Sequence, residues 1–366
     1  MLYKCKNCGG ELAFDPTLGK LKCKFCDSVY DLSEYEDHDH EHDHDHEEAP
    51  EQQENSALSQ GYTKSTDDST DVKEDLVVYA CPHCGAEVVT DKNTVATSCI
   101  FCDTPLVLQE QMEGVFAPDY VIPFAVDKKR ISKLYEQYIH DKPFYPKEYS
   151  TANVINHIKA VYLPFWIYDF VTRGELTGTG EKIWTRTTRD WIITEHDVFQ
   201  FFRSGSMEFK KIPVIASSKT PKDAMDSIEP FDYSKMVPFN NGYLPGFLAE
   251  RYDLDQNVCC DPAKQRASNT FDASLTNTVS GYSAVQIGNG RMEHVIKQND
   301  FVLLPAYILF MDYTGQGDDK LIAINGQTGK VVGNIPVDKH KRNRFFFLVF
   351  FCIFIPLLLF FWFVVL

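Results

Sequence analysis

Cys5, Cys8, Cys23 and Cys26 stand in the pattern C-x2-C-x14-C-x2-C, and Cys81, Cys84, Cys99 and Cys102 repeat it at a constant offset of 76 residues. The same offset carries Gly9 onto Gly85, Glu11 onto Glu87, Phe25 onto Phe101 and Asp27 onto Asp103. The two units are therefore expected to share a fold. A Cys-x-x-Cys pair makes a tight knuckle that presents two sulfurs to one ion, and two facing knuckles close a tetrahedral shell of four thiolates, with Zn–S near ~2.3 Å. With every position filled by sulfur, no water can bind the metal, so the expected chemistry is structural zinc, one ion per unit. A redox dithiol and an iron–sulfur cluster are the other uses of such cysteines. Units this small bury little core, and the metal would supply much of their folding energy.

These units must be carried by something larger. The chain has 366 residues, 44% of them hydrophobic and 13% aromatic, enough for two or three domains. Its formal net charge of −16 is concentrated in one stretch, because residues 37–75 hold 14 Asp/Glu against two Lys. That stretch, poor in apolar residues, is predicted to be a disordered acidic linker. Within it His38, His40, His42, His44 and His46 alternate with carboxylates. Such a tract can hold Zn2+ or Ni2+ loosely, or serve only as a solvated spacer. Around the first cysteine unit, residues 1–36, five Lys face six acids, and around the second, residues 77–110, one Lys faces four. Phosphate neutralisation dominates nucleic-acid affinity, so this balance favours protein docking by the ribbons over nucleic-acid reading.

Residues 115–338 are read as a mixed α+β domain. KKRISKLYEQYIHD has apolar residues at helical spacing. VFAPDYVIPFAV, AVYLPFWIYDFVTRGELTGTG and DWIITEHDVFQFFRSGSMEFKKIPVIAS read as strands. A helical stretch with Pro-interrupted joints is predicted from Asp223 to about Ser280, and a pair of hairpins from Phe301 to Ile335. LPFWIYDF (163–170) resembles LPAYILFMDY (304–313), as two related strands of one sheet would. Asp169 and Asp312 in these runs could be paired carboxylates, although such residues more often end a strand. His196 and the adjacent Cys259 and Cys260 are further reactive candidates. No complete catalytic motif occurs, and none of these residues is assigned a catalytic role. Asn325-Gly326-Gln327-Thr328-Gly329-Lys330 lacks the first Gly and the Ser/Thr of a phosphate loop and reads as a turn.

Residues 345–366 form 22 positions without a charge. At ~1.5 Å per residue they span roughly 33 Å, enough for a bilayer core. Lys339, Lys341, Arg342 and Arg344 crowd the near side, and nothing follows Leu366. The expectation is a C-terminal transmembrane anchor with residues 1–344 in the cytoplasm. The predicted architecture is thus α+β: zinc ribbon 1 (1–36), acidic His-rich linker (37–76), zinc ribbon 2 (77–110), mixed domain (115–338) and one transmembrane helix (345–366).

The doubled ribbon, the acidic spacer, a domain containing LPFWIYDF and AINGQTGKVVG, and the apolar tail together resemble a group of bacterial TFIIB-type zinc-ribbon membrane proteins. Members are often labelled replication-restart helicase (primosomal protein N′)-like, but a helicase needs a phosphate loop and none is present. Some of these proteins work with an SPFH (flotillin-like) protein and a PspA-like envelope-stress protein. The resemblance implies a membrane-anchored scaffold that recruits protein partners, with only the eight ribbon cysteines carried over as site residues. The alternative is a membrane-tethered nucleic-acid-binding protein. A hydrolase using Asp169, Asp312 or His196 is a third class.

Overall fold

A computed structural model describes residues 3–35, 76–80, 87–91, 94–98, 105–107, 117–150, 154–155, 157–312 and 319–365. The strands are β1 (Leu12–Asp15), β2 (Lys20–Cys23), β3 (Val29–Tyr30), β4 (Leu76–Ala80), β5 (Glu87–Asp91), β6 (Thr94–Ser98), β7 (Pro105–Val107), β8 (Tyr120–Val121), β9 (Lys159–Thr187), β10 (Ile192–Ile215), β11 (Val237–Pro238), β12 (Leu248–Glu250), β13 (Ala284–Asp312), β14 (Asp319–Asn325) and β15 (Val331–Gly333). The helices are α1 (Lys128–His140), α2 (Lys222–Ile228), α3 (Gln256–Asn277) and α4 (Lys339–Val365). Among the described residues, strands β1–β3 form one small sheet, β4 and β5 pair only with each other, and the remaining ten strands share one large sheet ordered β11-β8-β13-β9-β12-β6-β7, with β10 on β9 and β14–β15 on β13.

The centre of that sheet is the antiparallel pair β9–β13, in which Leu163 lies opposite Leu304. Val161–Tyr168 of β9 and Phe301–Leu309 of β13 read as unbroken apolar runs because both faces are covered there. Tyr162, Trp166, Tyr168 and Phe170 on β9, with Phe301, Leu303, Tyr307 and Leu309 on β13, face a core closed by Ile131, Tyr135 and Ile139 of α1 and by Cys259, Cys260, Ala263 and Ala267 of α3. The alternate residues Leu163, Phe165, Ile167, Val302, Leu304 and Ile308 face a second core closed by Met225 and Ile228 of α2. Helix α1 begins where the sequence predicts, with the Asp127 side chain accepting from the Arg130 N–H.

The two Leu-Pro dipeptides have a shared physical cause. Strand β9 is flanked by β12 at Val161–Tyr162 and by β10 from Phe165 onward, and Pro164 sits at the handover. Strand β13 is flanked by β8 at Val302–Leu303 and by β14 from Ala306 onward, and Pro305 sits at the handover. The carbonyls of Pro164 and Pro305 accept from Ala216 N and Gly326 N at 2.9 Å, each just past the end of the new flanking strand. A strand residue's N–H and C=O point to the same side, so each missing N–H falls in the gap between two partners and no ladder bond is lost.

Several expectations are corrected. Asp169 and Asp312 do not pair: Asp169 is opposite Gln298 in mid-strand, whereas Asp312 is opposite Asp319 at the end of β13, 14 residues and roughly 46 Å further along. Asp169 instead accepts from the Lys211 N–H at 2.7 Å, fastening the β10 bulge at Phe209/Ile212. VFAPDYVIPFAV contributes only the two-residue β8. Between Asp223 and Ser280 two helices, two short strands and two 3-10 turns replace the longer helical stretch. The 325–330 segment, by contrast, is the turn that the sequence predicts, between β14 and β15, with Asn325 Oδ1 accepting from Gln327 N and Thr328 N.

The first cysteine unit packs on the segment 240–250. Phe14 packs on Tyr243 and Phe247 with ring centroids 5.2 and 6.4 Å apart, its N–H donates to Pro245 O at 3.0 Å, and Leu32 lies against Gly242. Phe247 stacks on Phe124 at 4.3 Å, and Phe124 meets Tyr162 and Tyr307 edge-on at 4.8 and 5.1 Å. A chain of aromatic rings therefore runs from the small sheet to the middle of the large one. Immediately after Phe247, β12 pairs with β6, Ala249 opposite Ala96, so the segment 240–250 holds residues of both cysteine units.

Among the described residues one helix is long and apolar enough to cross a membrane, Lys339–Phe363 within α4, with mean hydropathy 2.8 over its most apolar window. Asp338 Oδ1 accepts from His340 N and Lys341 N, Lys341 Nζ donates to Tyr145 O at 2.8 Å, and Phe345 packs on Phe144. Phe14→Ala removes the ring that seats the first unit. We expect a loss of about 3–5 kcal/mol in stability, read by thermal melting, and new proteolytic cleavage within residues 1–35. An unchanged melt and digestion pattern would show that the aromatic chain does not hold the unit in place.

Candidate metal centre

The sulfurs of Cys5, Cys8, Cys23 and Cys26 all lie within 4.8 Å of one another. Cys5 Sγ is 3.5 Å from Cys26 Sγ, and Cys8 Sγ is 3.6 Å from Cys23 Sγ. A tetrahedron with ~2.3 Å metal–sulfur bonds has edges of about 3.8 Å, so the donor set fits one four-coordinate ion. Four cysteines thus lie close enough together to bind a metal.

The two knuckles are built alike. Gly9 and Asp27, each the residue after the second cysteine, have φ of 71° and 58°. This left-handed conformation costs glycine little and is tolerated by Asp. It lets Gly9 N donate to Cys5 O at 2.8 Å and Asp27 N to Cys23 O at 3.2 Å. Cys5 N then donates to Gly10 O at 2.7 Å and Cys23 N to Ser28 O at 2.9 Å. Pairing of β1 with β2, Leu12 opposite Cys23, presents the second knuckle to the first.

Around the sulfurs lies a shell that motif spacing does not reveal. The Tyr30 hydroxyl is 3.2 Å from Cys5 Sγ, Ser28 Oγ is 3.1 Å from Cys26 Sγ, and Phe25 N donates to Cys23 Sγ at 3.4 Å. Burial raises the Cys5 thiol, but hydrogen bonds from Tyr30 and from the N–H groups of Cys8 and Asn7 outweigh it and bring the thiol down to about 6. Cys8 is drawn down by the Gly10 N–H yet pushed up to about 12 by the neighbouring Cys26 and Cys23 sulfurs. Cys26 is lowered by the Ser28 hydroxyl and N–H. Crowded thiols cannot all ionise unaided, and a divalent cation would take the place of their protons.

Cys81, Cys84, Cys99 and Cys102, and the tract His38, His40, His42, His44 and His46, lie outside the described residues. The strands near the second set are described, and three of their backbone pairings keep the register of the first, whereas no described pairing of β5 with β6 matches that of β1 with β2. Lys4 opposite Glu11 becomes Ala80 opposite Glu87; Leu21 opposite Tyr30 becomes Thr97 opposite Leu106; Lys22 opposite Val29 becomes Ser98 opposite Pro105.

The other reactive candidates are not brought together. His196 is exposed on β10, 3.4 Å from Glu181 Oε2. Cys259 and Cys260 are free and buried in the first turns of α3. Burial pushes the Cys259 thiol up to about 11, which disfavours the nucleophilic thiolate. A histidine that spacing could not flag, His294, joins three elements: Nδ1 is 2.9 Å from Thr172 Oγ1 on β9 and Nε2 is 2.9 Å from Ser268 Oγ on α3. Burial, and then Lys264, lower its pKa.

Two outcomes are expected. Cys23→Ser should lower bound metal by one ion per chain in elemental analysis, and unchanged metal content would exclude this centre. Because the folded pKa of His294 lies below the unfolded value, its contribution is complete above pH ~6.5 and is lost as pH falls below that value. His294→Gln should therefore flatten the decline in melting temperature between about pH 7 and 5. An identical decline in the variant would assign it to other groups.

No family model and no solved structure match the chain. A Bacillus subtilis (strain 168) protein, the uncharacterized protein YdjG, is 30% identical to it over 347 residues, covering 94% of this chain and 92% of that one. An alignment of that identity over more than nine-tenths of both chains makes this chain a member of the YdjG family.

Proposed function

We propose that the chain is a membrane-anchored zinc scaffold that docks protein partners, with two structural zinc ions and no role for zinc in catalysis. The observation that carries this reading is the four-sulfur cluster, whose shell is completed by protein and keeps no position for a substrate. The second ion is supported by the shared register and by Gly85 and Asp103, which stand where the first unit needs left-handed residues at Gly9 and Asp27. Thr104 stands at the position of Ser28, so a hydroxyl is retained there. Held by the segment 240–250, the two zinc units act as fixed surfaces of one body rather than as tethered hooks.

In this reading Lys339–Phe363 is the anchor, and Lys339, Lys341, Arg342 and Arg344 set its near side toward the cytoplasm. An SPFH- or PspA-like protein, carried over from the ribbon-protein resemblance, is the partner class we propose. Neither ribbon has a basic surplus, which sets nucleic-acid reading behind protein docking.

Elemental analysis of the full chain is expected to give two zinc ions. Affinity purification of the tagged chain from crosslinked, detergent-solubilised membranes is expected to recover an SPFH- or PspA-like protein, and to lose it when Cys81 and Cys84 become Ser. Recovery of nuclease-sensitive material in its place would overturn the docking reading in favour of the nucleic-acid one.

A further inference from the structure

Beyond the body, β9, β10 and β13 continue as a three-stranded ribbon. From Lys182 to Gln200 essentially every residue is exposed, as are Ala284–Arg291, so this arm stands clear on both faces. It is not polar: Val198 is 60% exposed, Phe199 42% and Phe202 55%. The order across it is β10-β9-β13, so β10 forms one edge and, among the described residues, pairs only with β9.

The two edges differ in how they are protected. Strand β13 carries register shifts at Ile287/Gly290 and Ile296/Gln298, irregularities that turn an edge away from further pairing. Strand β10 runs in unbroken register with β9 from Ile192 to Phe209, and between Ile192 and Met207 has neither a proline nor a lysine. Proline, lysine and bulges are the usual guards of an edge strand. A long, regular, half-apolar edge without them presents a row of N–H and C=O groups on which another strand can pair.

We propose that the occupant is the same strand of a second copy, paired antiparallel about a two-fold axis through Gln200. This interface goes beyond the scaffold reading and does not depend on it. The register follows from the side chains. Residues equidistant from Gln200 face each other, so Asp197 meets Arg203 of the second copy on one side of the axis and the reciprocal pair forms on the other. Phe199 meets Phe201, Val198 meets Phe202, Ile193 meets Met207, and Glu195 meets Gly205, so no like charges are opposed. The interface is isologous, as a closed dimer requires.

Other occupants fit less well. Between Thr172 and Ser206 five Lys/Arg are balanced by five Asp/Glu, so the arm has no net charge to attract phosphate or anionic lipid. Nor is it beside the candidate membrane span. Gln200 lies opposite Thr179, and Thr179 opposite Gln286, whereas the chain leaves for α4 from β15 at the level of Leu309. That is roughly 75 Å along the sheet.

The test uses the full chain in detergent micelles, with mass read by light scattering across a concentration series. A dimer is expected. Arg203→Asp alone and Asp197→Arg alone each place like charges opposite one another twice and should weaken it by about tenfold or more. The double swap D197R/R203D restores both pairs and should restore the dimer. Independently of the charge variants, Gln200→Cys sits on the axis and should give an intermolecular disulfide under mild oxidation, whereas Gln286→Cys on β13 should not. A monomer at all concentrations would overturn the proposal. So would a dimer indifferent to the single reversals, a double swap that fails to rescue, or no crosslink at Gln200→Cys.

Discussion

The antiparallel pairing of β9 with β13 about Leu163 and Leu304 is the constraint on which the rest of the molecule depends. Because the side-chain period of a strand is two, that register sends one set of large apolar residues to each face and so dictates two separate cores. Covering them requires α1 and α3 on one face and α2 on the other. The same register places Pro164 and Pro305 where each strand exchanges one flanking partner for another. A one-residue slip would bury a missing N–H inside a continuous ladder and exchange the two faces.

From this centre the cysteine units are positioned by aromatic packing. Phe124 rests on Tyr162 and Tyr307, Phe247 stacks on Phe124, and Phe14 closes the series from the first unit. Immediately after Phe247 the chain becomes β12 and pairs with β6 of the second unit. An ion held by Cys5, Cys8, Cys23 and Cys26 would therefore stabilise more than a hairpin. It would fix the surface against which the 240–250 segment is ordered, linking metal occupancy to the geometry of the domain's rim.

The end of the sheet nearest the candidate span and the protruding arm lie far apart along two continuous strands. The first is tied down by Asp338 capping α4 and by Lys341 on Tyr145. The second is stiffened by aromatic rings laid over glycines, Phe271 on Gly174, Phe201 on Gly178 and Tyr282 on Gly180. Those contacts cover strand positions that have no side chain of their own to pack. They keep the ribbon extended after α3 ends at Asn277.

Local information in the sequence determined the features with a short period or a fixed spacing. The four-cysteine cluster, helix α1, the β14–β15 turn, the apolar helix and the kinship of the two Leu-Pro strands are of this kind, because each depends on residues within a few positions or on a self-similar pattern. Tertiary structure alone decided the rest. Asp169 and Asp312 look equivalent in sequence, yet pairing register separates them. Phe14 looks like any hairpin residue until the 240–250 loop supplies Tyr243 and Phe247. Thr172, Ser268 and His294 meet only because β9, α3 and β13 pack together. Contacts between distant segments are set by which faces the sheet leaves to be covered, and a linear pattern carries the apolar faces but not their partners.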